Sequence, residues 1–226
     1  MCTVTFLPLP NNDFIFTSNR DETPLRKTIL PKTYIEDDVE LMYPKDELAG
    51  GTWIGTSRRK RVVCVLNGGF ENHVRKPPYK MSRGVVVKKI LVAKNAIDTI
   101  QAIDFIGVEP FTLIFINWEQ ELEIYELVWD GYQKHFSKLK NEPKIWSSST
   151  LYTEQMKDER KKWFANWLQE NKKYTQSDIL DFHQNEDLGN KETSLKMKRK
   201  FVETVSITSI LKSNDSLKMK YIDFLN

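Results

Sequence analysis

A cysteine at position 2 sets a thiol next to the start of the chain, in Met1-Cys2-Thr3-Val4-Thr5-Phe6. Methionine aminopeptidase removes Met1 when residue 2 is small, and cysteine is small enough. The chain would then begin with Cys2, which carries both a nucleophile and a free α-amine. The thiol attacks as thiolate. An α-amine titrating near pH ~7.7–8.0 is partly neutral at pH 7 and can take up the proton. One residue thus supplies nucleophile and base, as in N-terminal-amine variants of the catalytic dyad. Alone, a cysteine here also reads as a small hydrophobe at a strand start, so the residues downstream of it decide between the two.

A polar run, Asn19-Arg20-Asp21-Glu22, comes soon after the apolar Phe14-Ile15-Phe16. Thr3 to Leu7 and Phe14 to Thr17 read as strands, and Pro8 to Asp13 reads as the turn joining them. A hairpin returns the chain, so the polar run ends near Cys2. The Arg20 guanidinium beside a thiol favours thiolate. The Asp21 carboxylate beside an α-amine orients it and tunes its basicity. An exposed charged turn explains any one of these residues but explains four in a row poorly.

These residues resemble a known family. Cys2 with Asn19-Arg20-Asp21-Glu22 is similar to the NRDE family, which includes the transport and Golgi organisation protein 2 relatives. That family is similar in turn to the N-terminal-nucleophile hydrolases of the bile-salt hydrolase and penicillin V acylase type. Three further blocks continue the match: Gly50-Gly51-Thr52-Trp53-Ile54-Gly55, Leu66-Asn67-Gly68-Gly69, and Ser82-Arg83-Gly84 ahead of Val85-Val86-Val87. After about residue 140 the match thins.

The resemblance implies an α+β fold, a four-layer αββα sandwich of two antiparallel sheets, as one domain over residues 1–226. It also implies site residues. Cys2 is the nucleophile, with Arg20 at the thiolate and Asp21 at the α-amine. Asn67 ends a strand, where its amide would donate to the oxyanion of a tetrahedral intermediate; Asn-Gly is equally a turn dipeptide. Related hydrolases carry a second Asn after a later strand, and Ser148 in Ile145-Trp146-Ser147-Ser148-Ser149-Thr150-Leu151 occupies its place. A hydroxyl there is a shorter, freely rotating donor. The late Arg of the acylases has no counterpart; Glu203-Thr204-Val205-Ser206 lies nearby instead.

The elements that must position these residues are read from periodicity. Thr52 to Thr56 and Val62 to Leu66 read as a second hairpin, with Arg58-Arg59-Lys60-Arg61 as its solvated tip. Ser82 can cap a helix running to about Lys94, with Val86, Val87, Ile90 and Leu91 on its buried side. A second helix covers Ala96 to Phe105. Phe111 to Ile116, Leu122 to Trp129 and Tyr132 to Leu139 read as a meander. Thr153 begins a long helix to about Tyr174, with Trp163, Phe164, Trp167 and Leu168 as its apolar stripe. Asp178 to Gln184 is a short helix, and residues 185–200 read as an exposed polar loop. Phe201 to Leu211 and Leu217 to Phe224 close the chain as a hairpin. Helices between groups of antiparallel strands exclude a parallel Rossmann sheet.

Composition narrows the classes. The 226 residues carry 34 Lys+Arg against 31 Asp+Glu, a net charge of +3, too balanced for nucleic-acid binding by bulk charge. Two cysteines, Cys2 and Cys64, make no disulfide framework, which suits a reducing cytoplasm. No leader is evident, and no apolar run approaches the ~20 residues of a membrane helix. His73, His135 and His183 lack metal-ligand spacing and read as structural or surface residues. Cys64 in Val62-Val63-Cys64-Val65-Leu66 reads as core. No phosphate-cradling loop follows either glycine pair, so neither a cofactor nor a metal is expected.

The resulting expectation is an N-terminal-cysteine hydrolase that cleaves a linear amide or related acyl bond of a small molecule through an acyl-cysteine. The alternative, also implied by the resemblance, is a non-catalytic protein that handles haem or a lipid or acyl ligand on the same fold. No CxxCH haem motif is present, and the sequence leaves the oligomeric state open.

Overall fold

A computed structural model describes residues 3–225; Met1, Cys2 and Asn226 lie outside the described residues. The chain opens with β1 (Thr3–Leu9) and β2 (Asp13–Glu22), then continues through β3 (Thr28–Glu36), β4 (Val39–Asp46), β5 (Ile54–Ser57) and β6 (Arg61–Asn67). Two helices, α1 (Arg83–Val92) and α2 (Ala96–Ala102), precede β7 (Phe111–Asn117), β8 (Glu123–Trp129), β9 (Lys134–Leu139) and β10 (Lys144–Ser147). Helices α3 (Glu154–Glu170) and α4 (Gln176–His183) then lead to β11 (Glu203–Ser213) and β12 (Ser216–Asp223). The expected α+β class with two antiparallel sheets is the observed one. The chain divides into two compact units, Met1–Leu25 with Glu142–Asn226, and Arg26–Asn141.

The first unit holds a five-stranded sheet in the order β10-β1-β2-β11-β12. Its β1–β2 pair is the predicted hairpin, longer than expected: Thr3 opposes Asn19 and Leu9 opposes Asp13. The connection turns at Asn11 and Asn12, both at positive φ (62° and 60°), a region asparagine tolerates better than most residues. The Asn-Arg-Asp-Glu run is part of β2 and does not follow it, and Asn19, Arg20 and Asp21 are buried. Opposed residues in antiparallel strands share a face. Thr3, Thr5, Leu7, Ile15, Thr17 and Asn19 therefore share one, and Val4, Phe6, Phe16, Ser18 and Arg20 share the other.

Helices α3 and α4 cover the first of these faces. Leu7, Ile15 and Ile145 pack there against Phe164, Ile179 and Phe182, with Trp163, Trp167 and Leu168 alongside, so the predicted stripe of α3 faces the core. Each buried aliphatic or aromatic side chain of this kind contributes roughly 1.5–3 kcal/mol. Thr153 caps α3 by accepting from the Met156 N–H, and Thr175 caps α4 in a reciprocal box with Asp178. The segment between α4 and β11 is not the exposed loop that its polarity suggested. Ser194, Leu195 and Met197 within it are buried, and its backbone carbonyls accept hydrogen bonds from Asn19 and Arg160.

The second unit holds a seven-stranded sheet in the order β3-β4-β5-β6-β7-β8-β9. The β3–β4 hairpin was not anticipated, because Pro31 interrupts the β3 pattern. That proline sits where the register slips between Ile29 and Lys32, on an edge strand, the setting in which a strand accepts proline. Ser82 caps α1 as predicted, accepting from the Val85 N–H. Two of the glycine blocks meet here. A Cβ built on Gly84 would lie 2.9 Å from the Thr52 nitrogen, and one on Gly51 would lie 3.0 Å from the Gly84 Cα. Only bare backbone lets the start of α1 approach the segment ahead of β5 this closely. The basic cluster was read as a solvated tip, but Arg61 is buried: its guanidinium donates to the Ile90 and Ala93 carbonyls and to Glu119. It thereby satisfies the last carbonyls of α1. No helix among the described residues is long and apolar enough to cross a membrane.

Candidate active site

Four of the five residues singled out from sequence fall within the described residues; Cys2 lies outside them. Arg20, Asp21 and Ser148 belong to the first unit, and Asn67 ends β6 in the second. At its N-terminal end β1 is flanked on both sides. Thr3 opposes Asn19 on β2 and Ser147 on β10. Arg20 follows Asn19 within β2, and Ser148 follows Ser147, the last residue of β10.

Arg20 is buried and opposes Ser206 on β11, while Asp21 opposes Thr204. Thr204 and Ser206 are two residues apart, so in a regular strand they would share a face. Arg20 and Asp21 are adjacent, so they do not. The register slips between Thr204 and Ser206, and this bulge lets one strand serve both neighbours. The Asp21 carboxylate accepts from two hydroxyls: Tyr152 Oη donates to Oδ2 and Thr204 Oγ1 to Oδ1, each at 2.6 Å. Such short hydrogen bonds are typical of hydroxyl-to-carboxylate pairs. Thr204 Oγ1 in turn accepts from the Met197 N–H at 3.0 Å, which aims its one proton at Asp21.

Next to these residues lies a buried polar network. Asn19 Nδ2 donates to the carbonyls of His183 (3.1 Å) and Leu195 (2.8 Å), which fixes the orientation of the amide. Its Oδ1 is then an acceptor for His183 Nδ1, 2.5 Å away. This sets the proton placement: Nδ1 carries the hydrogen, and Nε2 accepts from Thr5 Oγ1 at 2.8 Å. Complete burial, with the Arg160 charge nearby, lowers the His183 pKa to about 3. A neutral imidazole therefore ties α4 to β1 and β2. His73 pairs with Glu109 at 3.2 Å and His135 with Asp130 at 2.7 Å. Cys64 is fully buried in β6.

Arg160 of α3 is fully buried. Its guanidinium donates to Thr3 Oγ1 (3.0 Å) and to the carbonyls of Thr193 (2.8 Å) and Ser194 (2.5 Å). It also lies 3.5 Å from the centre of the Tyr152 ring. Sequence reasoning missed Arg160, Tyr152 and Thr204. Arg160 is embedded in a run of exposed charges on α3, and only the helix phase, one turn from Phe164, hints at burial.

Ser148 is buried, its hydroxyl 3.0 Å from that of Thr150, and its carbonyl accepts from the Tyr152 N–H at 3.2 Å. Asn67 opposes Phe111, and Gly68 after it turns at φ 86° with its N–H on the Pro110 carbonyl at 3.0 Å.

Solved structures share this architecture. The Caenorhabditis elegans ortholog of N-acylethanolamine-hydrolyzing acid amidase matches with a TM-score of 0.65 and 12% identity over 95% of both chains. A variant of conjugated bile acid hydrolase from Clostridium perfringens matches with a TM-score of 0.51 and 8% identity over 98% of this chain and 92% of that one. The same enzyme as its mutant C2A matches with a TM-score of 0.51 and 8% identity, over 99% and 92%. The fold is thus that of the N-terminal-nucleophile hydrolases. Over residues 1–221 the sequence matches the Transport and Golgi organisation 2 family, and the chain belongs to it. No curated protein matches the sequence.

Proposed function

We propose that this chain is an N-terminal-cysteine amidohydrolase that cleaves a linear amide or related acyl bond of a small molecule. The observation that supports this most is the arrangement around the start of β1. Cys2 is joined directly to Thr3 in the sequence. Arg20 follows Asn19, and Ser148 follows Ser147, the two residues that oppose Thr3 on the flanking strands. Asp21, held by two hydroxyls, comes after Arg20. The chemistry of the fold neighbours points the same way: one is an amidase and the other a hydrolase of conjugated bile acids, and the C2A mutant replaces a cysteine at position 2 of that enzyme.

In this reading, removal of Met1 frees the Cys2 amine. That amine takes the thiol proton, and the thiolate attacks the substrate carbonyl carbon. Arg20 stabilises the thiolate, and Asp21 orients the amine. The tetrahedral oxyanion receives a hydrogen bond from the Ser148 hydroxyl. Collapse breaks the C–N bond, and the ammonium passes its proton to the leaving amine. Water, deprotonated by the same amine, then attacks the thioester; the acid departs and the thiol is restored.

The test is turnover of an N-acyl amide panel by protein whose N-terminal cysteine has been confirmed by mass. Wild type should hydrolyse at least one member and Cys2→Ala none. A silent panel, with haem or fatty-acyl ligands binding wild type and Cys2→Ala alike, overturns the enzyme in favour of a ligand carrier.

A further inference from the structure

We propose that Arg160 and Tyr152 are positioning residues that hold both neighbours of the Cys2 nucleophile, Thr3 and Asp21, through one buried guanidinium; the inference rests on the proposed hydrolase function.

The geometry is a closed chain of contacts within the first unit. Arg160 is fully buried, and among the described residues no carboxylate lies within 4.0 Å of it. A buried cation without a counter-ion is costly unless other groups replace its hydration. Here Nη1 donates to Thr3 Oγ1, Nη2 donates to the Thr193 and Ser194 carbonyls, and the guanidinium carbon lies over the Tyr152 ring, while Nε has no hydrogen-bond partner among the described residues. If the only task were to bolt α3 to the sheet, a methionine of similar length would do it without burying a charge. The placement of the charge is therefore informative.

The consequences are two. The first is mechanical. Thr3 is bonded directly to Cys2, so the Arg160–Thr3 hydrogen bond fixes the strand at the residue beside the nucleophile. The second is electrostatic. A guanidinium on the face of a phenol attracts its π electrons, which strengthens the phenol O–H as a donor. That O–H points at Asp21 Oδ2. Thr204 holds Oδ1 from the adjacent strand, so the carboxylate has one donor from the segment leading into α3 and one from β11. Loss of either removes one of the contacts that orient it. The carbonyls of Thr193 and Ser194 lie in the segment between α4 and β11, which gives that long, partly buried loop a task.

Tyr152→Phe is the sharpest perturbation, because it keeps the ring under Arg160 and removes only the O–H to Asp21. Two readouts on mass-verified, Met1-free protein separate positioning from simple stability. The first is iodoacetamide alkylation of Cys2, which needs no substrate: Tyr152→Phe and Arg160→Met should each slow it about tenfold. Arg160→Lys should not restore the rate, since an ammonium lacks the planar fork. The second is a double-mutant cycle. In an Asp21→Asn background, Tyr152→Phe should slow alkylation no further. On an active substrate, Tyr152→Phe should lower kcat about tenfold and leave KM within twofold. Alkylation at the wild-type rate in folded Tyr152→Phe, or strict additivity with Asp21→Asn, overturns the inference even if Arg160→Met fails to fold. Alkylation that depends on Tyr152 in a protein that turns over no amide instead overturns the hydrolase reading and leaves the positioning network standing.

Discussion

Acidification offers a quantitative probe of the polar network beside the site, because the His183 imidazole is buried neutral. Its pKa falls to about 3 in the folded chain, against ~6.5 for an unfolded histidine. The folded pKa is the depressed one, so between these values the unfolded chain binds a proton that the folded chain does not. The stability from this group is present above pH ~6.5 and is lost as pH falls toward ~3, at about 1.4 kcal/mol per unit. By pH 5 the loss is about 2 kcal/mol. The comparison is His183→Gln, which cannot titrate. Its amide can accept from Thr5 but leaves Asn19 Oδ1 without its donor, costing about 1–3 kcal/mol at pH 7.5. Urea unfolding at half-unit steps from pH 7.5 to 5 should show wild type more stable at the start and the gap closing by about 2 kcal/mol, since every other titrating group is common to both chains. The carbon-bound imidazole protons of His183 should keep neutral chemical shifts to pH 4.5 by NMR. A gap that stays constant with pH, or a histidine that titrates near 6.5 in the folded protein, refutes the Nδ1–H tautomer and the network built on it.

Two further outcomes rest on particular contacts. Gly84→Ala would force a Cβ to within 2.9 Å and 3.0 Å of the Thr52 backbone nitrogen and oxygen, so it should lower unfolding stability by about 1–3 kcal/mol; an unchanged denaturation midpoint contradicts the close approach. Cys2 should react with iodoacetamide faster than Cys64, which is wholly buried in β6, and Arg20→Ala should slow Cys2 alone; peptide mapping that finds equal rates for the two thiols rejects Arg20 as the thiolate's partner.

How much of this was legible in the sequence depends on whether the signal was local. The hairpin of β1 and β2, the Ser82 and Thr153 caps, the α3 stripe and the β7–β9 meander all arise from neighbours within a turn or a strand, and their patterns were readable. The β3–β4 hairpin was hidden because Pro31 breaks the alternation, and only an edge position with a bulge makes that acceptable. Arg20 and Asp21 were recognisable as types at a spacing, but their setting was not. They were expected at a strand end and instead lie inside β2, served by a bulge between Thr204 and Ser206 that no local pattern announces. Arg160 and Tyr152 were out of reach for a different reason. Their importance comes from contacts to Thr3 and Asp21 more than a hundred residues away, and side chains alone do not declare such partners. The polar segment between α4 and β11 misled for the same reason: its side chains look solvated while several of its backbone carbonyls are buried acceptors.

Intact mass spectrometry after incubation with an activated acyl ester tests the central claim most directly. Protein from its native expression host should have lost Met1 and should gain one acyl group, mapped to Cys2 by peptide sequencing and absent from Cys2→Ala. Retention of Met1, or an exposed N-terminal Cys2 that acquires no acyl group from any ester tried, would contradict the acyl-cysteine mechanism.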